Sequence, residues 1–102
     1  MFLVVFRSRK RTDLDAETYA KDAARMKDMA LARPGLLAVK TYAAEDGETV
    51  SISEWADEAS ARAWREDAEH LVMQRRGREA YYESYTVFTM DDPRTHRFPT
   101  AE

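Results

Sequence analysis

A single α+β domain with its elements in the order β-α-β-β-α-β is predicted for this chain. Three features predict it: a continuous apolar run at its start, a turn signal between two strand-like segments, and helical apolar spacing on either side of that hairpin. The length of 102 residues suits one hydrophobic core rather than two.

The first strand is read from Phe2, Leu3, Val4, Val5 and Phe6, a partly β-branched run of the kind buried on both faces, ending near Ser8. Arg9, Lys10 and Arg11 are then expected to form a basic loop. Asp13 or Asp15 can accept the free N–H groups at the start of a helix whose inner stripe is Tyr19, Ala23, Met26 and Ala30. Arg33-Pro34-Gly35 stops that helix.

The segments Leu36 to Ala44 and Glu48 to Trp55 read as antiparallel strands, because Asp46 and Gly47 between them tolerate the positive φ of a tight hairpin. Asp57 caps a second helix through Ala59, Ala63 and Trp64, and a further helical stretch runs from about Ala68 to Arg76, with a break near Asp67 and a stop at Gly77. Tyr81 to Met90 is dense in Tyr, Thr, Val and Phe, a strand composition. This order is the ferredoxin-like pattern, a four-stranded antiparallel sheet with its helices on one face. The domain is placed at residues 1–91 and a polar tail at 92–102.

Sixteen Lys and Arg against nineteen Asp and Glu leave a net charge of −3, which provides no general attraction to nucleic acid or anionic lipid. The absence of cysteine excludes disulfides, thiolate metal sites and thiol nucleophiles, and fits a reducing compartment. No signal segment or long apolar run is visible, so a cytoplasmic protein without membrane association is expected. Gly35, Gly47 and Gly77 stand singly at element ends, which argues against a phosphate-binding loop, and two histidines are too few for a histidine metal site. No cofactor is expected.

The strand alternation raises a further question. Strand two sets Leu37, Val39 and Thr41 against Ala38, Lys40 and Tyr42; strand three sets Val50 and Ile52 against Ser51, Ser53 and Trp55; strand four sets Phe88 and Met90 against Tyr85 and Val87. An open sheet with Leu, Val, Tyr and Trp on its second face would expose too large an apolar patch for a monomer, so a sheet-to-sheet homodimer is expected.

Pro34-Gly35-Leu36-Leu37, Ser53-Glu54-Trp55, Ala63-Trp64-Arg65 and Glu69-His70, followed by Gln74 to Glu79 and Tyr81-Tyr82, together resemble the antibiotic biosynthesis monooxygenase family of dimeric α+β barrels. The resemblance runs from Phe2 to about Met90. It implies a dimeric barrel, and it implies fold more firmly than function, since the family includes cofactor-independent monooxygenases of phenolic polyketides, haem-degrading enzymes, signal-molecule isomerases and many members with no assigned activity. The haem-degrading branch carries an Asn in strand one and a His ten residues after the helical Trp. Here Arg7 stands near the first place and Gln74 at the second, which argues against haem.

A cofactor-free monooxygenase needs a base to create an electron-rich anion and an apolar pocket around it. His70 is the candidate base, with Glu66 or Gln74 one helical turn away to orient its ring; a merely structural surface histidine is the alternative. Trp64 joins His70 as a catalytic candidate, and Trp55 is a candidate pocket wall, although both indoles also suit core anchors. Arg7 could stabilise a phenolate or peroxy anion, or could be a solvated strand end. Tyr42 and Tyr85 could face a pocket or the dimer seam, and Gln74 is counted with the substrate-binding residues. Arg75, Arg76 and Arg78 read as a solvated face neutralised by Glu69, Glu79 and Glu83.

The function expected from these residues is a cofactor-independent monooxygenase acting on a small aromatic, phenolic or quinone-type molecule. The alternative is a non-catalytic ligand-binding or sensing dimer on the same fold. RNA binding on the open sheet is disfavoured by the acidic balance and the lack of a Lys/Arg-Gly-Phe strand motif.

Overall fold

The computed structural model describes residues 1–99. Strands β1 (Phe2–Lys10), β2 (Leu36–Ala43), β3 (Thr49–Trp55) and β4 (Tyr82–Asp91) form one antiparallel sheet in the order β2-β3-β1-β4. Helices α1 (Ala16–Leu31), α2 (Glu58–Arg65) and α3 (Ala68–Arg76) complete the ferredoxin-like α+β fold among the described residues. The last part of the expected tail, residues 100–102, lies outside them.

Each helix starts on an aspartate. Asp15 accepts from the N–H groups of Glu17 and Thr18, Asp57 from Ser60, and Asp67 from Glu69 and His70. The break at Asp67 therefore separates two short helices, and its carboxylate starts the second. Gly47 closes the β2–β3 hairpin at φ +91°, where a side chain would be strained.

The densest packing lies at the Phe2 end of the sheet. Phe2, Trp55 and Ala61 are buried together, and Val4, Leu36 and Trp64 pack against them. Phe2 pairs with Trp55 across β1 and β3, so both point to the helix side. From that anchor the register assigns the rest. Val4, Phe6 and Ser8, with Ser53, Ser51 and Thr49, face the helices, while Leu3, Val5 and Arg7, with Glu54, Ile52 and Val50, face away.

Several expectations are corrected. Arg9 and Lys10 belong to β1 rather than a loop, because the β4 ladder runs on to Lys10 and Tyr82, and Arg9 finds Asp46 while Lys10 finds Thr49. Only Phe2 and Ser8 of β1 are buried: among the described residues no layer covers the face carrying Leu3 and Val5, and on the helix side Val4 and Phe6 are half-buried. Trp55 stands on the helix side, so the second face carries Leu, Val, Phe and Tyr without it.

On α1 Ala23 is exposed, and the half-buried Asp22 takes an inner position. Asp22 can do so because the Tyr81 hydroxyl and the Arg76 guanidinium both donate to it, holding its carboxyl below the usual range. Arg76 is thus neutralised by Asp22, and Glu69 pairs with Arg25 rather than with the arginines that follow it. The third α-helix ends at Arg76 with Gly77 as its C-cap, as expected, but Gly77 is not in the left-handed region. At φ −57° it carries the chain into a π-helical turn, Gly77–Tyr81, that delivers Tyr82 into β4.

Candidate functional site

The α2–α3 joint brings Trp64 and His70 together. Their rings stack with centroids 4.1 Å apart and planes 14° from parallel. The joint is tight because the carbonyl oxygen of Trp64 accepts the N–H of Asp67 at 3.2 Å and the ring Nδ1–H of His70 at 2.9 Å. A carbonyl can only accept, so Nδ1 carries the hydrogen and the neutral ring leaves Nε2 bare. The Gln74 amide nitrogen, 3.4 Å from Nδ1, gives its hydrogen to the Arg65 carbonyl instead.

Burial pushes the His70 imidazole below its ordinary 6.5, against the opposing pull of the Trp64 carbonyl and the Asp67 carboxylate. The ring is therefore neutral at pH 7, and Nε2 has no hydrogen-bond partner among the described residues. The indole N–H of Trp64 is likewise without a partner among them, whereas that of Trp55 donates to Ser53 at 3.1 Å. An accepting nitrogen and a donating indole thus stand on two stacked rings.

Further along the helix side lies a second aromatic group. The ring of Phe6 is 5.5 Å from Tyr82 and 5.3 Å from Tyr85, and Tyr19 of α1 meets Tyr81 edge-on at 5.3 Å. Burial raises the phenols of Tyr81 and Tyr82, so both remain hydrogen-bond donors at neutral pH. Hydroxyls line the strands on this side: Thr41 pairs with Ser51 at 2.7 Å, and Ser8 with Thr49 at 3.0 Å. Their signal in the sequence was the alternation of β3, whose Ser and Thr share a side with Trp55.

The fold divides the sequence candidates. Trp64, His70 and Gln74 meet at the joint, and Tyr85 stands on the same side of the sheet within the Phe6 group. Trp55 is only 2% exposed and is enclosed in the core. Arg7 and Tyr42 face away from the helices, both opposite Val50, and Arg7 is held by Glu48 at 3.3 Å. Glu66 follows α2 as its C-cap and makes no hydrogen bond to the ring among the described residues.

An open depression of about 380 Å³ lies at the other end of β1, beside Arg11, Asp13, Arg76 and Tyr81. Its cations are already committed, Arg11 to Asp13 through two bonds of 2.8 Å and Arg76 to Asp22, so it has no free charge for an anion. Among the described residues no three His, Asp or Glu groups gather as metal ligands, and no helix is long and apolar enough to cross a membrane.

Comparison with known proteins sets this geometry in context. The uncharacterized protein YqjZ of Bacillus subtilis is 35% identical over 69 residues, which is 68% of this chain and 60% of that protein. The match therefore spans less than two thirds of that relative. Among solved structures, Rv0793 from Mycobacterium tuberculosis superposes with a TM-score of 0.78 at 18% identity, over 94% of this chain and 98% of that one. SnoaB, a cofactor-independent oxygenase from Streptomyces nogalater, superposes with a TM-score of 0.76 at 16% identity, over 97% of each chain. At such identities these likenesses establish the fold. The sequence itself matches the model of one family over residues 1–76, from β1 through α3 and so across the whole Trp64–His70–Gln74 joint. The chain belongs to the antibiotic biosynthesis monooxygenase family.

Proposed function

We propose that this protein is a cofactor-independent monooxygenase acting on a small aromatic, phenolic or quinone-type molecule, with His70 as its base and Trp64 as an aromatic wall and hydrogen-bond donor. The observation that carries the reading is the stacked Trp64–His70 pair, in which a neutral imidazole keeps Nε2 bare beside a free indole N–H.

In this reading a reduced ring system stacks near Trp64, the indole N–H holds one of its oxygens, and Nε2 removes a proton. The resulting anion is electron-rich enough to give an electron to O2. Where a ring CH2 becomes C=O, one oxygen atom enters the product and the other leaves as water with the two hydrogens the CH2 loses, so no external reductant is needed. Gln74 and Tyr85 serve as polar contacts for the substrate.

The working unit in this proposal is a homodimer formed through the sheet face that points away from the helices. Leu3, Val5, Val50, Ile52, Phe88 and Met90 share that face, and Phe88 and Met90 are 50% and 54% exposed in the single chain. Arg7 and Tyr42 would then lie at the seam.

Oxygen uptake with a panel of hydroquinones and phenols tests the activity. Replacing His70 with Ala is expected to lower turnover by about 10²–10⁴-fold, the usual worth of a positioned base, and unchanged turnover would remove His70 from the mechanism. A second reading, a non-catalytic ligand-binding or sensing dimer, draws on the Nδ1 bond to the Trp64 carbonyl, which also serves structure. It predicts saturable binding of the same molecules without oxygen uptake.

A further inference from the structure

We propose that Arg33 and Asp67 act as a positioning pair for His70, tying the first turn of α3 to the loop between α1 and β2. The inference rests on the reading of His70 as a base, and its test needs no substrate.

Asp67 holds the histidine from its main chain. One carboxylate oxygen accepts the N–H of Glu69 at 3.0 Å and that of His70 at 3.3 Å, and the other faces Arg33 Nη1 at 3.6 Å. The backbone N–H of Asp67 donates to the Trp64 carbonyl, the oxygen that also receives the His70 ring hydrogen. One carboxylate and one carbonyl therefore fix the residue at its main chain and at its ring.

Arg33 reaches Asp67 because its loop is pressed against α2. Gly35 at φ +87° allows this, since a Cβ there would lie 2.3 Å from the Ser60 hydroxyl, and the Gly35 carbonyl is pinned by the Ala56 N–H at 2.7 Å. The Arg33 and Asp67 side chains are 29% and 27% exposed, and Arg33 Nε is buried without a partner among the described residues. A guanidinium that leaves a buried donor unmet does not sit there for its own hydrogen bonds. Its contribution is a positive charge opposite Asp67.

That charge matters to the ring. An ionised Asp67 favours the imidazolium, and Arg33 offsets it, which keeps Nε2 available to accept a proton. The other charged groups around this turn are Arg65 at the end of α2, Glu66 at the joint, and Glu69, which Arg25 of α1 holds at 2.6 Å. The strands beneath bring the uncharged Val4 and Trp55.

The test is a side-chain ¹H–¹⁵N NMR titration of His70 in the full chain, with His96→Gln removing the second histidine signal. Arg33→Met, which keeps the apolar stem, is expected to move the His70 midpoint upward. Asp67→Asn, which can still cap the helix, is expected to move it downward while the Nδ1–H tautomer signature persists. Asp67→Ala is expected to lose that signature as well, with Asn rescuing it. Midpoints and tautomer unchanged in all three variants, or a downward move in Arg33→Met, would overturn the pairing. The expected shifts in a protein that consumes no oxygen would leave the pair standing and refute the oxygenase; unchanged titration in an active enzyme would do the reverse.

Discussion

Along β3, before Trp55 at its end, the side chains that point at the helices are Thr49, Ser51 and Ser53, whereas Val50, Ile52 and Glu54 point away from them. Alternation in a two-layer α+β domain ordinarily runs the other way, with aliphatic residues beneath the domain's own helices. β4 shows the same unevenness, since Tyr85 and Val87 on the helix side remain 40% and 48% exposed. The difference teaches that the helices seal their face unevenly: the Phe2–Trp55 end and, at the far end, Ser8 and Tyr81 are buried, while Tyr85 and Val87 stay open. The remainder of that face mixes the hydroxyls of β3 with the Phe6, Tyr82 and Tyr85 rings, while the face without helices carries the exposed Phe88 and Met90.

The largest expected effect strikes the sealed Phe2–Trp55 end. Trp55→Ala should cost about 3–5 kcal/mol in urea unfolding, the usual range for emptying a buried aromatic site. A loss under about 1 kcal/mol would mean that the helix side is no drier at Trp55 than elsewhere.

Next come paired substitutions that set one face against the other. In the proposed homodimer Phe88→Asp places a charge at the seam from each side, and it should weaken self-association at least a hundredfold, about 2.7 kcal/mol, in sedimentation equilibrium. Its neighbour Val87→Asp, on the helix side, should leave association unchanged. The opposite result would exchange the roles of the two faces.

A smaller effect follows from His70. Its folded-state pKa lies below the 6.5 of the unfolded chain, so the unfolded state takes up a proton first as the pH falls. The contribution of His70 to stability is therefore complete above pH 6.5 and declines below it until the folded ring is also protonated. Urea midpoints across this range should fall in the wild type and stay flatter in His70→Gln. Equal slopes would show that the ring is not buried in solution.

The smallest change is expected for Arg7→Ala. Its ion pair with Glu48 has side chains 49% and 24% exposed, and such pairs contribute within about 1 kcal/mol. A larger loss in the urea midpoint of the assembled protein would show that the dimer seam buries the pair.

Much of the fold was legible because it is encoded locally. The hairpin at Asp46-Gly47, the caps at Asp15 and Asp57 and the break at Asp67 each depend on a residue's own backbone and its nearest N–H groups. The candidate site was legible in part. His70 and Gln74 lie one helical turn apart and meet as that spacing implies, whereas Trp64, six residues before His70, reaches it only through the break at Asp67, and Arg7 and Tyr42 depend on which way a strand is turned, which alternation leaves open between two faces.

The sequence by itself therefore determined the order of elements, their caps and turns, and the grouping of residues onto two sides of each strand, since these follow from backbone geometry over a few residues. Only the tertiary structure decided which side the helices cover, that Asp22 rather than Ala23 faces inward, and that Arg33 and Asp67 stand together beside His70. Those outcomes depend on pairings between groups far apart in the chain, where a charge or hydroxyl can take an inner position once its partner arrives.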